Sequence, residues 1–312
     1  MKNMSRRLIA VGLAAALFAA CGDSGSNDAT SDVRALTAVQ PTFPVTVTNG
    51  DREVTLDEQP EAIVSLSSTA TEVLFAIGAG PQVAAVDDQS DYPPEAPTTD
   101  LSGYTPNIEA IVAYEPDLVV AAFDPGDLVS SLAKLDIAVL FHEGPDDLDG
   151  AYAQMIQLGQ LTGHVAEAEE LVAETKDEID SLSRDVPPRD ELLTYFHELD
   201  DTLFTATSAT FIGQIYSLAG LENIADEADP GNSYPQLSAE YIIEADPDFV
   251  FLGDSDCCGQ SLKTVAARPG WEAITAVQRE QVISLDDDIV SRWGPRITEF
   301  LARVVDAVKS AG

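Results

Sequence analysis

The sequence predicts an α/β protein of two Rossmann-like lobes, each with a parallel sheet, joined by one long backbone helix that leaves a ligand cleft between them. Three observations predict this fold. Short apolar strands alternate with helical segments in both halves, a pattern typical of parallel sheets covered by helices on both faces. A helical period continues without a strand from residue 147 to residue 186. The two halves also repeat one another.

The N-terminus has the pattern of a secretion signal, residues 1–20. Basic residues come first and an uncharged apolar run follows, too short to span a bilayer: Lys2, Arg6, Arg7 and Leu8–Ala20. Cys21 comes next, as in bacterial lipoprotein signals, although Phe18 stands where leucine is usual. We expect lipid attachment at Cys21, with plain secretion and cleavage after Ala20 as the alternative. Residues 21–44 would then be a flexible tether to the outer face of the membrane.

The charge of the chain excludes one class of partner. The 312 residues carry 54 acidic and 16 basic side chains, a formal net charge of −38. Such a surface repels nucleic acid and anionic lipid. We therefore expect no nucleic-acid partner.

The N-terminal lobe is assigned to residues 45–146. A hairpin signal opens it, with alternating strands on either side of Asn49-Gly50. Apolar strands and intervening helices follow, at residues 63–66, 83–86, 118–121 and 137–140 for the strands and at 69–77 and 107–113 for the helices.

The connecting helix is assigned to residues 147–186, with a possible kink at Thr162-Gly163, and Pro187-Pro188 end it. The C-terminal lobe, residues 187–312, returns to alternating strands and helices. Its predicted elements are strands at 192–196, 249–252 and 282–285 and helices at 211–218, 239–245 and 295–308.

An internal repeat relates the two lobes. Glu109 and Glu240 each stand seven residues before a proline that precedes an apolar strand. Each also lies in the first turn of a predicted helix, just after a capping side chain, Asn107 or Ser238. The repeat therefore places the two glutamates at equivalent points of the two lobes.

The chain from residue 45 onwards resembles the helical-backbone substrate-binding proteins of bacterial ABC importers for iron–siderophores, haem and cobalamin. The segments that carry the resemblance are Ile63–Ser67, Thr71–Gly78, Tyr92–Pro94, Asn107–Val120, Tyr234–Glu240 and Arg292–Arg296. The resemblance implies a monomeric receptor without a cofactor, which passes a small-molecule metal chelate to an ABC permease and its cytoplasmic ATPase. It also implies that Glu109 and Glu240 dock onto arginines of the permease. The alternative is that each glutamate only complements a helix dipole.

Several residues are candidates for the ligand cleft. Tyr104 lies where the cobalamin receptors of that family carry a pocket tryptophan, or it is an ordinary exposed loop residue. Tyr234 could face the cleft. Arg292 and Arg296 flank Trp293, and guanidinium groups would pair with an anionic chelate or with haem propionates. The alternative for Arg296 is a local carboxylate such as Glu299.

The histidines and cysteines give weaker signals. His142 and His197 follow strands of different lobes and could ligate haem iron, with ordinary loop residues as the alternative. The sequence has no ordered cluster typical of a directly bound metal ion. Cys257 and Cys258 are adjacent, and in an oxidising compartment they form a vicinal disulfide or stay free.

An iron(III)–siderophore is the first choice of ligand because the arginines suit an anionic chelate, with cobalamin and haem as alternatives. A chelatase-like enzyme or a surface sensor could share the fold. The sequence carries no phosphate loop, Gly-x-Ser-x-Gly elbow or His-Glu-x-x-His, so we expect no enzyme. A sensor would have no use for the paired glutamates.

Overall fold

The computed structural model describes residues 41–311. The predicted signal, Cys21 and most of the predicted tether lie outside the described residues. No helix within 41–311 has both the length and the apolar character needed to cross a bilayer.

The N-terminal lobe is built on a parallel four-stranded sheet in the order β4-β3-β5-β6. An antiparallel hairpin, β1-β2, precedes it and turns at Gly50, whose φ of 60° suits glycine. The strands and helices of this lobe are β1 (Val45–Asn49), β2 (Arg52–Leu56), β3 (Ile63–Leu66), α1 (Ser68–Ala76), β4 (Val83–Val86), α2 (Ile108–Val112), β5 (Leu118–Ala121), α3 (Leu128–Ala133) and β6 (Ala138–Phe141).

The C-terminal lobe repeats this plan with a second parallel sheet in the order β10-β9-β7-β8. Its elements are β7 (Leu193–Glu198), α6 (Phe211–Leu218), β8 (Leu221–Asn223), α7 (Ala239–Ala245), β9 (Phe249–Leu252), α8 (Ser255–Cys258), α9 (Leu262–Ala266), α10 (Thr275–Gln278), β10 (Val282–Ser284), α11 (Asp287–Ser291) and α12 (Ile297–Ser310). The predicted fold class, two α/β lobes with parallel sheets, is confirmed. The short strand β8 was not predicted.

The connection between the lobes differs from the single long helix predicted for residues 147–186. It consists of two helices, α4 (Leu148–Thr162) and α5 (Val165–Arg184), separated by Gly163 with a φ of 83°. The second helix turns back along the first. Lys176 of α5 lies 4.5 Å from the ring centre of Tyr152 and 4.0 Å from the carboxylate of Asp149, both near the start of α4.

The reason for the turn is local geometry combined with packing. Gly163 takes the left-handed conformation that ends a helix. Gly159 lets the two helices approach, because a side chain there would collide with Ala168 of α5. The helix α4 then packs on α1 and β1 of the N-terminal lobe, while α5 packs on α12 of the C-terminal lobe. The connection is a helical hairpin that contacts both lobes.

One apolar core extends through both lobes. It includes side chains of the β1-β2 hairpin and α1, continues through α4 and α5, and reaches α6 and α12. Two smaller clusters cover the opposite faces of the two sheets. The two lobes therefore share buried apolar surface.

Candidate ligand cleft

A cavity of about 110 Å³ lies where the carboxyl ends of β3, β4 and β5 meet the segment that follows α11. Its volume is smaller than that of most small-molecule pockets, about 300–1,000 Å³. The carboxyl ends of parallel strands are where α/β sheets bind ligands. The lining residues are Leu66, Ser67, Ser68, Thr69, Asp87, Gln89, Gly103, Tyr104, Ala122, Phe123, Ser291, Arg292 and Trp293.

An aromatic pair forms one wall of the cavity. Tyr104 and Phe123 have ring centres 4.8 Å apart and are 59% and 47% exposed. Tyr104 therefore lines the cavity, and its contact with a ligand stays a prediction. Phe123 was missed, although its position two residues beyond β5 is a signal that could have found it. The two exposed rings, tilted by 31° to one another, provide an apolar surface for a ligand.

Arg292 lines the cavity but is tied to protein groups. Its side chain is 6% exposed. Nη1 donates to Glu72 at 3.0 Å and to Asp91 at 3.2 Å. Nη2 donates to the main-chain oxygen of Gln89 at 3.0 Å and is paired with Asp288 at 2.5 Å. The expected contact with an anionic ligand is therefore replaced by ion pairs, chiefly with a glutamate from the other lobe.

Arg296 is held by the same glutamate. Its Nε lies 3.0 Å from Glu72 Oε2, its Nη2 lies 2.6 Å from Glu72 Oε1, and its guanidinium stacks over the ring of Tyr92 at 4.2 Å. The hydrogen bonds to Glu72 raise the pKa of Arg296 above its usual value. The alternative given for Arg296 was pairing with a carboxylate of the protein. The structure shows such a pair, but the carboxylate belongs to Glu72 and not to Glu299.

Trp293 lies between the cavity and the helical hairpin. Its Nε1 donates to Gln154 Oε1 of α4 at 2.7 Å, and its ring meets Phe211 edge to face at 6.0 Å. One edge of the indole remains against the cavity. Trp293 therefore joins the C-terminal lobe to α4 and also borders the cleft.

The two histidines do not meet in the cleft, contrary to the haem expectation. His142 is buried and its Nε2 is 2.9 Å from Gln157 Oε1, and burial lowers its pKa to about 4. His197 is fully buried, with Nδ1 2.8 Å from the hydroxyl of Tyr216, and burial lowers its pKa to about 3. His142 follows β6, whereas His197 lies within β7 and not after its end as predicted. Both side chains pack internally, so neither is placed to bind iron.

Tyr234 lies outside the residues that line the cavity. It sits in the loop before α7, where partial burial and the charge of Asp146 raise its pKa. Glu109 and Glu240 are both exposed in the first turns of α2 and α7, behind the capping residues Asn107 and Ser238. The structure thus gives the two glutamates equivalent local settings on the two lobes.

Cys257 and Cys258 are joined in the structure as a vicinal disulfide. They end the short helix α8, which follows β9 on the exposed surface. Asp287 holds this helix through its carboxylate, which accepts from the main-chain nitrogens of Asp256 and Cys257. Across residues 41–311, no group of three or more histidine, cysteine, aspartate or glutamate side chains is arranged to hold a metal ion.

Comparison with known proteins gives a consistent result. The profile of a family described as periplasmic binding protein matches residues 63–289. A cobalamin-binding protein of Halobacterium salinarum is 33% identical over 85% of this chain and 74% of its own length. An uncharacterized ABC transporter substrate-binding lipoprotein of Bacillus subtilis is 27% identical over 99% of this chain and 98% of its own. The crystal structure of a possible iron-binding periplasmic solute-binding protein of Staphylococcus epidermidis superposes with a TM-score of 0.71, covering 80% of this chain and 99% of that one at 27% identity.

Proposed function

Because this chain belongs to the periplasmic binding protein family, a family of transport receptors and not of enzymes, we propose that it captures a corrinoid of the cobalamin type outside the cytoplasm and delivers it to an ABC importer. The coarse function follows from membership of the family. The choice of ligand rests on the cleft.

The observation that carries the ligand choice is the occupation of Arg292 and Arg296 by Glu72. The sequence favours an iron(III)–siderophore, on the premise that Arg292 and Arg296 are free to pair with an anionic chelate. In the structure both guanidinium groups are neutralised before any ligand arrives. The cleft therefore offers an anionic ligand little attraction.

The remaining lining of the cleft suits an uncharged macrocycle. Tyr104 and Phe123 present an exposed aromatic surface, and Ser67, Ser68 and Thr69 supply hydroxyl and main-chain groups. A corrin ring has apolar faces and a periphery of primary amides, so it matches both features. The similarity to the cobalamin-binding protein of Halobacterium salinarum supports the same choice.

Haem is a weaker candidate because it needs an axial ligand for its iron. His142 and His197 are buried in internal hydrogen bonds. An iron(III)–siderophore remains the second candidate, supported by the similarity to the possible iron-binding protein of Staphylococcus epidermidis.

Delivery requires a permease and its ATPase as partners. Glu109 and Glu240 are proposed to dock onto the permease, one from each lobe, since both are exposed and both lie in the first turn of a capped helix. A lipid on Cys21 is proposed to anchor a monomeric receptor, in line with the lipoprotein of Bacillus subtilis.

The test is calorimetric titration of the purified chain with cyanocobalamin, a ferric hydroxamate, a ferric catecholate and haem, each in a separate experiment. Saturable sub-micromolar binding of cyanocobalamin, with none or far weaker binding of the other three, is the expected result. Tight binding of a ferric siderophore without binding of cyanocobalamin would contradict the corrinoid proposal and favour an iron(III)–siderophore as the ligand.

A further inference from the structure

Asp87 is a carboxylate at the floor of the cleft that the proposed function has not used. It directly follows β4, is 5% exposed, and lines the cavity together with Tyr104 and Phe123. Its main-chain nitrogen donates to Ser65 of the neighbouring strand at 2.9 Å. The side chain is thus carried by the rigid edge of the sheet and not by a loose loop.

One oxygen of Asp87 is fixed by the protein. Ser90 donates its hydroxyl to Oδ1 at 2.6 Å. The same hydroxyl is 2.9 Å from the hydroxyl of Thr71, which in turn bonds to Ser65 at 2.9 Å. This buried chain of hydroxyl groups sets the orientation of the carboxyl group.

The second oxygen, Oδ2, accepts no hydrogen bond from a side chain of residues 41–311, although the main chain of Gln89 also bonds to the carboxyl group. Gly103 lies against Oδ2, and a side chain at that position would come within 2.8 Å of Oδ2 and 2.9 Å of the main-chain oxygen of Leu66. Glycine therefore keeps the space beside Oδ2 free of a side chain. Oδ2 is not among the buried polar atoms that lack a partner, so a ligand that reaches the floor of the cleft can donate a hydrogen bond to it.

The nearest cation does not compensate this acceptor. Arg292 is close enough to lower the pKa of Asp87, but burial outweighs it and raises that pKa overall. The hydrogen-bonding ends of Arg292 already serve Glu72, Asp91 and Asp288. The floor of the cleft consequently favours a hydrogen-bond donor and disfavours a second carboxylate.

We propose that Asp87 is a specificity-determining residue that accepts a hydrogen bond from an uncharged amide of the ligand and rejects ligands with a carboxylate at that place. This inference rests on the proposed function. It adds that the receptor distinguishes amidated corrinoids from corrinoids whose peripheral groups are free acids. A site built around a hydrogen bond discriminates strongly, since the wrong partner leaves a buried polar group unpaired.

The experiment compares dicyanocobinamide with dicyanocobyrinic acid, because both lack the nucleotide loop and have the same ring and axial ligands, with amides in the first and carboxylates in the second. Calorimetric titrations are made on the full chain, on Asp87→Asn, and on Asp88→Asn as the matched control, because Asp88 is adjacent and exposed. The ratio of the two affinities is the measured quantity, because it does not depend on the fraction of the variant that is folded.

We expect the unchanged chain and Asp88→Asn to prefer dicyanocobinamide to dicyanocobyrinic acid by at least about tenfold, and Asp87→Asn to reduce that ratio by about tenfold. An unchanged ratio in Asp87→Asn, with dicyanocobinamide still bound, would overturn the role of Asp87 and leave the corrinoid receptor standing. Failure of the unchanged chain to bind cyanocobalamin would overturn the proposed function, and the role of Asp87 with it.

Discussion

Glu72 on α1 of the N-terminal lobe faces Arg296 at the start of α12 of the C-terminal lobe, with Arg296 Nη2 2.6 Å from Glu72 Oε1 and Nε 3.0 Å from Oε2. Arg292 donates to the same Oε1 at 3.0 Å. One glutamate, 1% exposed at its side chain, therefore pairs with two arginines from the other lobe. The three charges form an interlobe clamp beside the cavity that Arg292 lines.

The clamp predicts that substitution of Glu72 greatly lowers the free energy of unfolding. Glu72→Ala leaves Arg292 and Arg296 without their shared carboxylate, and removing one partner from a buried ion pair costs about 3–5 kcal/mol. Urea unfolding followed by circular dichroism measures the loss. Glu299→Ala is the control, since Glu299 is exposed on the same helix as Arg296, and we expect a change within about 0.5 kcal/mol. Equal effects of the two substitutions would contradict the clamp.

The aromatic pair of Tyr104 and Phe123 predicts that loss of the Tyr104 ring lowers the affinity for the ligand but not the stability of the protein. Tyr104→Ala removes an exposed ring that stacks on Phe123, so we expect the affinity for cyanocobalamin to fall by about tenfold and the melting temperature to change little. Tyr114→Ala is the control, because Tyr114 is also exposed but lies beyond the end of α2, outside the cavity lining. Calorimetric titration measures both variants, and an unchanged affinity in Tyr104→Ala would remove this ring from the binding site.

The buried carboxyl group of Asp254 predicts that the stability of the protein depends on pH. It is fully buried, neither oxygen has a hydrogen-bond partner within the described part of the chain, and burial followed by the charge of Glu198 raises its pKa to about 7. The nearby Arg268, which is paired with Glu198, opposes this shift only in part, and Asp287 adds to it.

The sign of this effect follows from the two pKa values. The unfolded chain loses the proton of Asp254 near pH 4 and the folded chain near pH 7, so stability falls between these values and levels off above pH 7. The stability of Asp254→Asn relative to the unchanged chain should rise over this interval by up to ~4 kcal/mol. Thermal unfolding at pH 4.5, 6 and 8 measures the difference. A difference that stays constant with pH would show that Asp254 is ionised at all three.

The docking role proposed for Glu109 and Glu240 predicts that substituting them abolishes transport but leaves ligand binding intact. The double substitution Glu109→Ala and Glu240→Ala should abolish uptake of labelled cyanocobalamin by whole cells, because each removes a carboxylate from the tip of one lobe. Affinity for the ligand should be unchanged, since both residues lie outside the cavity. Glu244→Ala is the control, being exposed on the same helix as Glu240. Normal uptake by the double variant would leave the two glutamates as helix-dipole partners only.

The elements and the repeat could be predicted because their signals are local. Apolar runs of four residues became the central strands, and the caps at Asn107 and Ser238 placed Glu109 and Glu240 in first turns as expected. The turn at Gly163 was harder to predict from the sequence, since a glycine with positive φ is compatible with a kink or with a full reversal. The contacts of Lys176 with Tyr152 and Asp149 decide between them, and those depend on tertiary packing.

The chemistry of the cleft could be predicted only in part. The sequence identified Arg292 and Arg296 as unusual in an acidic chain, but their partner Glu72 lies more than two hundred residues away. A position after a strand makes a residue a candidate for the cleft, yet this rule does not say which side chains turn inward. His142 follows β6 and is buried, and His197 is buried within β7, which extends two residues beyond its predicted end at Phe196. Phe123, which also follows a strand, reaches the cavity.

The most direct test of the corrinoid receptor is a crystal structure of the chain with cyanocobalamin, using the anomalous signal of cobalt to locate the ligand. The account predicts one strong cobalt peak between the two lobes, with the corrin ring against Tyr104 and Phe123 and a peripheral amide within hydrogen-bond distance of Asp87. Crystals grown at saturating cyanocobalamin with an empty cleft, or with cobalt bound only on the outer surface, would contradict it.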